Sequence, residues 1–231
     1  MKNYFRICPH LLNWFPLITG VYFLVLAVLS PWSERNVLIG IPPSSMRGNL
    51  DLNYLSGWLL LMSTPILIDG CLLAYLGHVK TLVCIRLKKW FGWNMYLFVV
   101  CCSSTMYWSI LQWAVLFITA EFHEALQAGT LLLASNMLWL VLMLLLYYLT
   151  KAASICVLGP IFMQGGTFLL GEHLNILQSW MPSNWSMVCR TKRCWEGGKT
   201  VGQYFGLSIA IAGCLFLLLY QMVRKKLYKE I

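Results

Sequence analysis

The chain has 231 residues, 59% of them hydrophobic and only 11% charged, against about 25% charged residues in an ordinary soluble domain. So little charge cannot clothe the surface of a water-soluble fold, whereas a bilayer removes the need for it. The net charge of +9 would suggest a nucleic-acid partner in a soluble protein. No RNA- or DNA-binding motif accompanies it here, and the basic residues fall between apolar runs, where they set topology and meet anionic headgroups.

Backbone groups in lipid must be satisfied internally, so spanning segments are helices or closed barrels. Barrel strands alternate apolar and polar residues, and runs such as Leu131–Leu149 do not. The sequence therefore predicts an all-α, polytopic membrane protein with six transmembrane helices in a single domain, 1–231. The spans are Leu11–Ser30, Leu55–Gly77, Trp93–Thr119, Thr130–Thr150, Ala152–Gly171 and Tyr204–Val223, each near the ~20 residues that cross a ~30 Å hydrocarbon core. The first run follows Lys2 and Arg6 like a signal peptide, but Pro31 comes directly after the small residues at its end, and we read it as an uncleaved span.

Charge placement orients the bundle. With the N-terminus inside, the inner segments carry Lys2, Arg6, Lys80, Arg86, Lys88, Lys89, Lys151, Arg224, Lys225, Lys226 and Lys229. The outer ones carry Arg35, Arg47, Arg190, Lys192, Arg193 and Lys199, with most of the carboxylates. Lys and Arg near span ends favour the cytoplasmic side, so both termini are expected there.

Several motifs bear on chemistry. Gly198-Lys199-Thr200 looks like the end of a phosphate-binding loop, but that loop needs Gly five residues earlier, where this chain has Arg193. No strand precedes it and the segment is expected outside, so no nucleotide site is expected. Cys189 and Cys194 share the outer loop 172–203; a four-residue spacer can be closed by a disulfide or left as two thiols. Asp69 is the one carboxylate inside an expected span. It reads as a proton or ion relay, or as an interfacial group paired with Lys80 or another basic residue of the following loop. Glu121, His123 and Glu124 cluster in the turn 120–129, either as a metal or proton-exchange group or as a solvated turn. Asn184-Trp185-Ser186 fits a glycosylation acceptor. Gly202, Gly206, Ala210 and Cys214 make one small-residue face of the last span, a packing device within the chain or between two copies. No metal site, cofactor or catalytic residue is expected.

The inner loop between spans two and three mixes basic and aromatic residues, from His78 to Trp93, without proline. It serves as a topology signal with snorkelling side chains, or as a short interfacial helix that docks a cytoplasmic partner.

Six spans, inner termini, this basic helix-forming loop and a structured outer segment between spans five and six resemble the ABC type 2 permeases, the membrane subunits of drug, bacteriocin and lantibiotic exporters. The resemblance implies that Lys80, Arg86, Lys88, Lys89 and Trp90 belong to the loop that contacts a separate cytoplasmic ABC ATPase subunit. It likens Met1–His10 to an interfacial helix, and the stretch from Leu177 through Pro182 and Trp185 to Arg190 to an outer re-entrant region. It further implies a second permease copy or a similar permease as partner, an amphipathic substrate, and a bacterial plasma membrane. Two other readings stand beside it: a stand-alone multi-span protein such as a bacteriocin immunity protein, and a membrane-embedded enzyme.

Overall fold

The computed structural model describes residues 9–29, 37–44, 52–87 and 90–227. It is all-helical, with no strand among the described residues. Six α-helices follow in order: α1 (Pro9–Leu29), α2 (Leu52–Leu87), α3 (Trp90–Thr119), α4 (Phe122–Thr150), α5 (Ala153–His173) and α6 (Val201–Leu227). One 3₁₀ turn (Val37–Ile39) lies between α1 and α2, and three more (Asn175–Trp180, Pro182–Ser186, Val188–Arg190) lie between α5 and α6.

Five of these helices, α2 to α6, are long and apolar enough to cross a membrane. The sequence predicts six such spans. In α1 the described apolar stretch is the shorter Pro16–Leu26, although the helix itself has 21 residues. Large apolar side chains such as Phe162, Ile118 and Leu24 are exposed, as a face turned to lipid tails requires.

The central helix is α4. Its most apolar stretch is 67% buried, against 22% for α5 and α6, and it packs on α2, α3, α5 and α6. It begins at Phe122, two turns earlier than its apolar run. Glu121 stands extended at the N-cap and Glu124 lies in the first turn, where carboxylates complement the positive end of the helix dipole. His123 bonds Gln127 one turn on. The 121–124 cluster is therefore the start of a helix, not a free turn. At the other end Lys151 adopts φ 57° and its N–H bonds the Tyr147 carbonyl. This left-handed cap reverses the chain within two residues and leaves a cation at the negative helix end.

Two crossings depend on glycine. A Cβ on Gly70 of α2 would occupy the place of the Val157 side chain of α5, and one on Gly129 of α4 would meet the Trp113 indole of α3. We expect Gly70→Ala to destabilise the bundle by about 1–2 kcal/mol through overpacking. The double variant Gly70→Ala/Val157→Ala should recover most of that, read as thermal midpoints in detergent. Equal midpoints for wild type and the single variant would remove this crossing as a packing constraint.

Inside apolar helices, indole N–H groups need partners. Trp108 donates to Ser104 and Trp139 to Ser135, in each case a serine one turn back on the same helix. The Ser-x-x-x-Trp spacing thus meets that need locally, leaving Trp108 fully buried.

Candidate functional site

A chain of polar side chains threads the apolar bundle. Pro65 lies inside α2, has no N–H, and so cannot bond the Leu61 carbonyl one turn back. Two neighbours supply that missing donor. The Tyr22 hydroxyl of α1 and Nε2 of Gln112 of α3 both reach the Leu61 oxygen at 3.4 Å. Gln112 Nε2 also donates to the Tyr22 hydroxyl at 2.8 Å. Its Oε1 accepts from Asn136 Nδ2 of α4 at 2.9 Å, and the same amide donates to Ser109 Oγ. Ser109 in turn donates to the Thr105 carbonyl. The Thr105 hydroxyl donates to Asp69 Oδ2 of α2 at 2.5 Å. Four helices are joined through buried groups: Tyr22, Asp69, Thr105, Ser109, Gln112 and Asn136 are all buried.

Asp69 is only 2% exposed, and its Oδ1 has no hydrogen bond of good geometry. Pairing with Lys80 is ruled out by the helix itself, because α2 is continuous through both and places them roughly 16 Å apart along its axis. Asp69, Thr105 and Asn136 line a cavity of about 10 Å³, room for one water-sized body. Thr105, Ser109 and Gln112 stand at i, i+4 and i+7 on one face of α3. That polar helical period, with Asn136 in the next span, was the sequence signal for this chain of bonds.

Above one end of the bundle, the 3₁₀ turns between α5 and α6 form a strap. Its keystone is Arg190, fully buried. The guanidinium pairs with Glu172 at the end of α5, lies 4.7 Å over the Phe168 ring, and donates from Nε to the Ile41 carbonyl at 2.8 Å. Glu172 also accepts from Gln178 Nε2 at 2.8 Å and from the Ser44 N–H at 2.9 Å. The Tyr204 hydroxyl of α6 donates to the Arg190 carbonyl. The segment before α2, α5, the strap and α6 therefore meet at one ion pair. The sequence places both charges on the outer side, and Arg190 at the end of the re-entrant stretch, without pairing them.

The other expected residues fall as follows. The Gly198-Lys199-Thr200 stretch closes the strap's tip: a Cβ on Gly198 would strike the backbone of Arg190 and Thr191. The Lys192 N–H bonds the Lys199 carbonyl, and the Lys199 ammonium sits 3.5 Å over the Trp180 ring. Glycine is there for close approach, not for phosphate. Asn184, Trp185 and Ser186 are buried, and Asn184 Nδ2 bonds the Gln178 carbonyl, so the glycosylation acceptor is closed off by the fold. No disulfide links Cys189, which is buried, to Cys194, which is exposed; the first faces the core and the second the surface. Gly202, Gly206, Ala210 and Cys214 are all exposed, so this face is not covered by the described residues of the chain. Lys80 and Arg86 lie on the helical backbone of α2 and Trp90 opens α3, while Lys88 and Lys89 lie outside the described residues. Among the described residues, no group of three His, Cys, Asp or Glu side chains could hold a metal ion.

The arrangement defines a helical bundle of membrane-spanning length with a polar interior path and a clamped strap. No protein-family model matches the chain, and no curated protein or solved structure matches it significantly.

Proposed function

We propose that this chain is the membrane-spanning permease subunit of an ATP-driven exporter of amphipathic substrates, energised by a separate cytoplasmic ATPase subunit at a bacterial plasma membrane, with both termini on the cytoplasmic side. The observation that carries this reading is α2. Its apolar run gives way after Gly77 to a segment that carries Lys80 and Arg86, and the helix continues through that segment to Leu87. A partner that moves this segment moves the helix that holds Pro65 and Asp69 at the polar path. The expected short, separate docking helix is here an extension of the span itself, and that makes the coupling more direct.

The outward small-residue face of α6 suits a second permease copy, since small side chains let helices approach closely in lipid. The amphipathic substrate class rests on the resemblance and on an interior that mixes aromatic and amide groups.

Co-expression with a candidate ATPase subunit tests the assignment. The triple variant Arg86→Ala/Lys88→Ala/Lys89→Ala should reduce substrate-stimulated ATP hydrolysis about tenfold, the equivalent of ~1.4 kcal/mol of lost interface energy. The thermal midpoint of the permease should stay unchanged. Full stimulation in the triple variant sinks the interface. Failure of any ATPase to be retained in mild detergent sinks the permease reading in favour of a stand-alone membrane protein.

A further inference from the structure

We propose that Asp69, Thr105 and Asn136 form a binding site for a single sodium ion, with Asp69 Oδ1 as its anionic ligand. The inference goes beyond the permease reading and does not depend on it.

A carboxylate this deep among apolar helices is costly unless its charge is answered. Asp69 Oδ2 is held by the Thr105 hydroxyl and the Ser104 hydroxyl also reaches this carboxylate, while Oδ1 is buried without a hydrogen bond of good geometry and no cation among the described residues faces it. No cationic side chain lines the adjoining cavity; its remaining walls include the apolar side chains of Ile66, Leu140 and Met143. A cation that answers this carboxylate from the cavity has to be small enough for about 10 Å³.

The donor set narrows the choice. Carboxylate, hydroxyl and side-chain amide oxygens are hard ligands that suit alkali and alkaline-earth cations over soft metals. One carboxylate balances one positive charge, and a doubly charged ion would leave a net charge in low dielectric. The site adjoins Pro65, which lies inside the continuous helix α2 and leaves the Leu61 carbonyl without its helical N–H partner.

The neighbouring bonds link such a site to the rest of the bundle. Asn136 spends its Nδ2 on Ser109 and Gln112, which leaves its Oδ1 for a ligand. Drawing that oxygen toward an ion shifts the amide shared by α3 and α4. Occupancy is thus coupled to the packing of α2, α3 and α4 about one point.

The test uses the purified full-length chain in detergent, without any ATPase, so its outcome is separate from that of the permease reading. Unfolding midpoints are followed by tryptophan fluorescence in sodium, potassium and choline chloride at equal ionic strength. Sodium should raise the midpoint saturably and the other two salts should not, as binding to the folded state alone requires. Asp69→Asn should abolish the response and Thr105→Val should weaken apparent sodium affinity at least ~10-fold. Equal midpoints in all three salts overturn the site. So does a response that follows acidification in place of sodium, or one that survives Asp69→Asn. Should Asp69→Asn fail to fold, equilibrium exchange of radioactive sodium on the wild-type chain decides: about one ion per chain supports the site, and none overturns it.

Discussion

Replacing Arg190 with Ala should cost about 3–5 kcal/mol, the usual penalty for breaking a buried ion pair from one side. The loss has identifiable parts. Glu172 would keep its bonds from Gln178 and Ser44 but lose its charge partner in a dry pocket. The Ile41 carbonyl would lose its guanidinium donor, and the Phe168 ring its cation. Arg190→Lys should rescue little, because one ammonium cannot address Glu172, Ile41 and a ring face at once as a planar fork can. A double variant, Arg190→Met/Glu172→Leu, should be markedly more stable than Arg190→Ala, since an apolar pair leaves no orphaned charge. Thermal midpoints in detergent measure the ranking, and hydrogen exchange over residues 172–191 reports whether the strap itself is released. If Arg190→Ala melts with the wild type, or the double variant is the least stable, the ion pair does not clamp the strap.

The contrast between this clamp and the rest of the bundle explains what could be read from the sequence. Long apolar runs announce helices because lipid-facing and core-facing residues are both apolar, and the break at Lys151 was visible as the lone charge between two such runs. The start of α4 was not visible. Residues 122–129 include Glu124, His123 and Gln127, which end the apolar run, while the small residues Ala125, Ala128 and Gly129 on the same turns are buried. Helix outlasts hydrophobicity there because one face still packs.

Arg190 and Glu172 illustrate a different obstacle. The sequence places each on the outer side, and nothing in it pairs the two. Their burial depends on the chain folding back through three 3₁₀ turns, and no periodicity in 174–190 announces that path. Gly198 is a related case, where the sequence excludes a phosphate loop through Arg193 but does not supply the reason for the glycine. A glycine demanded by backbone contact looks, in sequence, like a glycine demanded by a phosphate. The small-residue face of α6 was legible as a face but not as to its direction; it looks outward because α6 turns Tyr204, Ser208, Ala212 and Leu219 toward the bundle. Asp69 was correctly singled out by its depth, whereas its partner lies on another helix, and only the three-dimensional packing brings Thr105 to it.

The polar path should respond most strongly at Gln112, the side chain with bonds to three helices. Gln112→Leu removes the donor to Tyr22, the donor to the Leu61 carbonyl and the acceptor for Asn136. Buried polar groups left unmatched cost about 1–3 kcal/mol each, and interhelical bonds in membranes contribute at the lower end of such values, so a total of about 2–4 kcal/mol is expected. One of those bonds exists only because Pro65 freed the Leu61 carbonyl, which in Gln112→Leu keeps the Tyr22 hydroxyl alone. In a Pro65→Ala background the new N–H of residue 65 can close the helical bond to Leu61, and Gln112 is no longer needed there. The cost of Gln112→Leu should accordingly fall by about 0.5–1 kcal/mol in that background, a coupling within the usual range for contacting residues. The four midpoints of this cycle, measured in one detergent, settle the matter. Strict additivity would mean that the glutamine does not satisfy the carbonyl released by proline. A smaller cost in the Pro65→Ala background ties an irregular helix, a buried amide and the packing of α1 to α3 into one device, each part of which has a physical reason for the residue it carries.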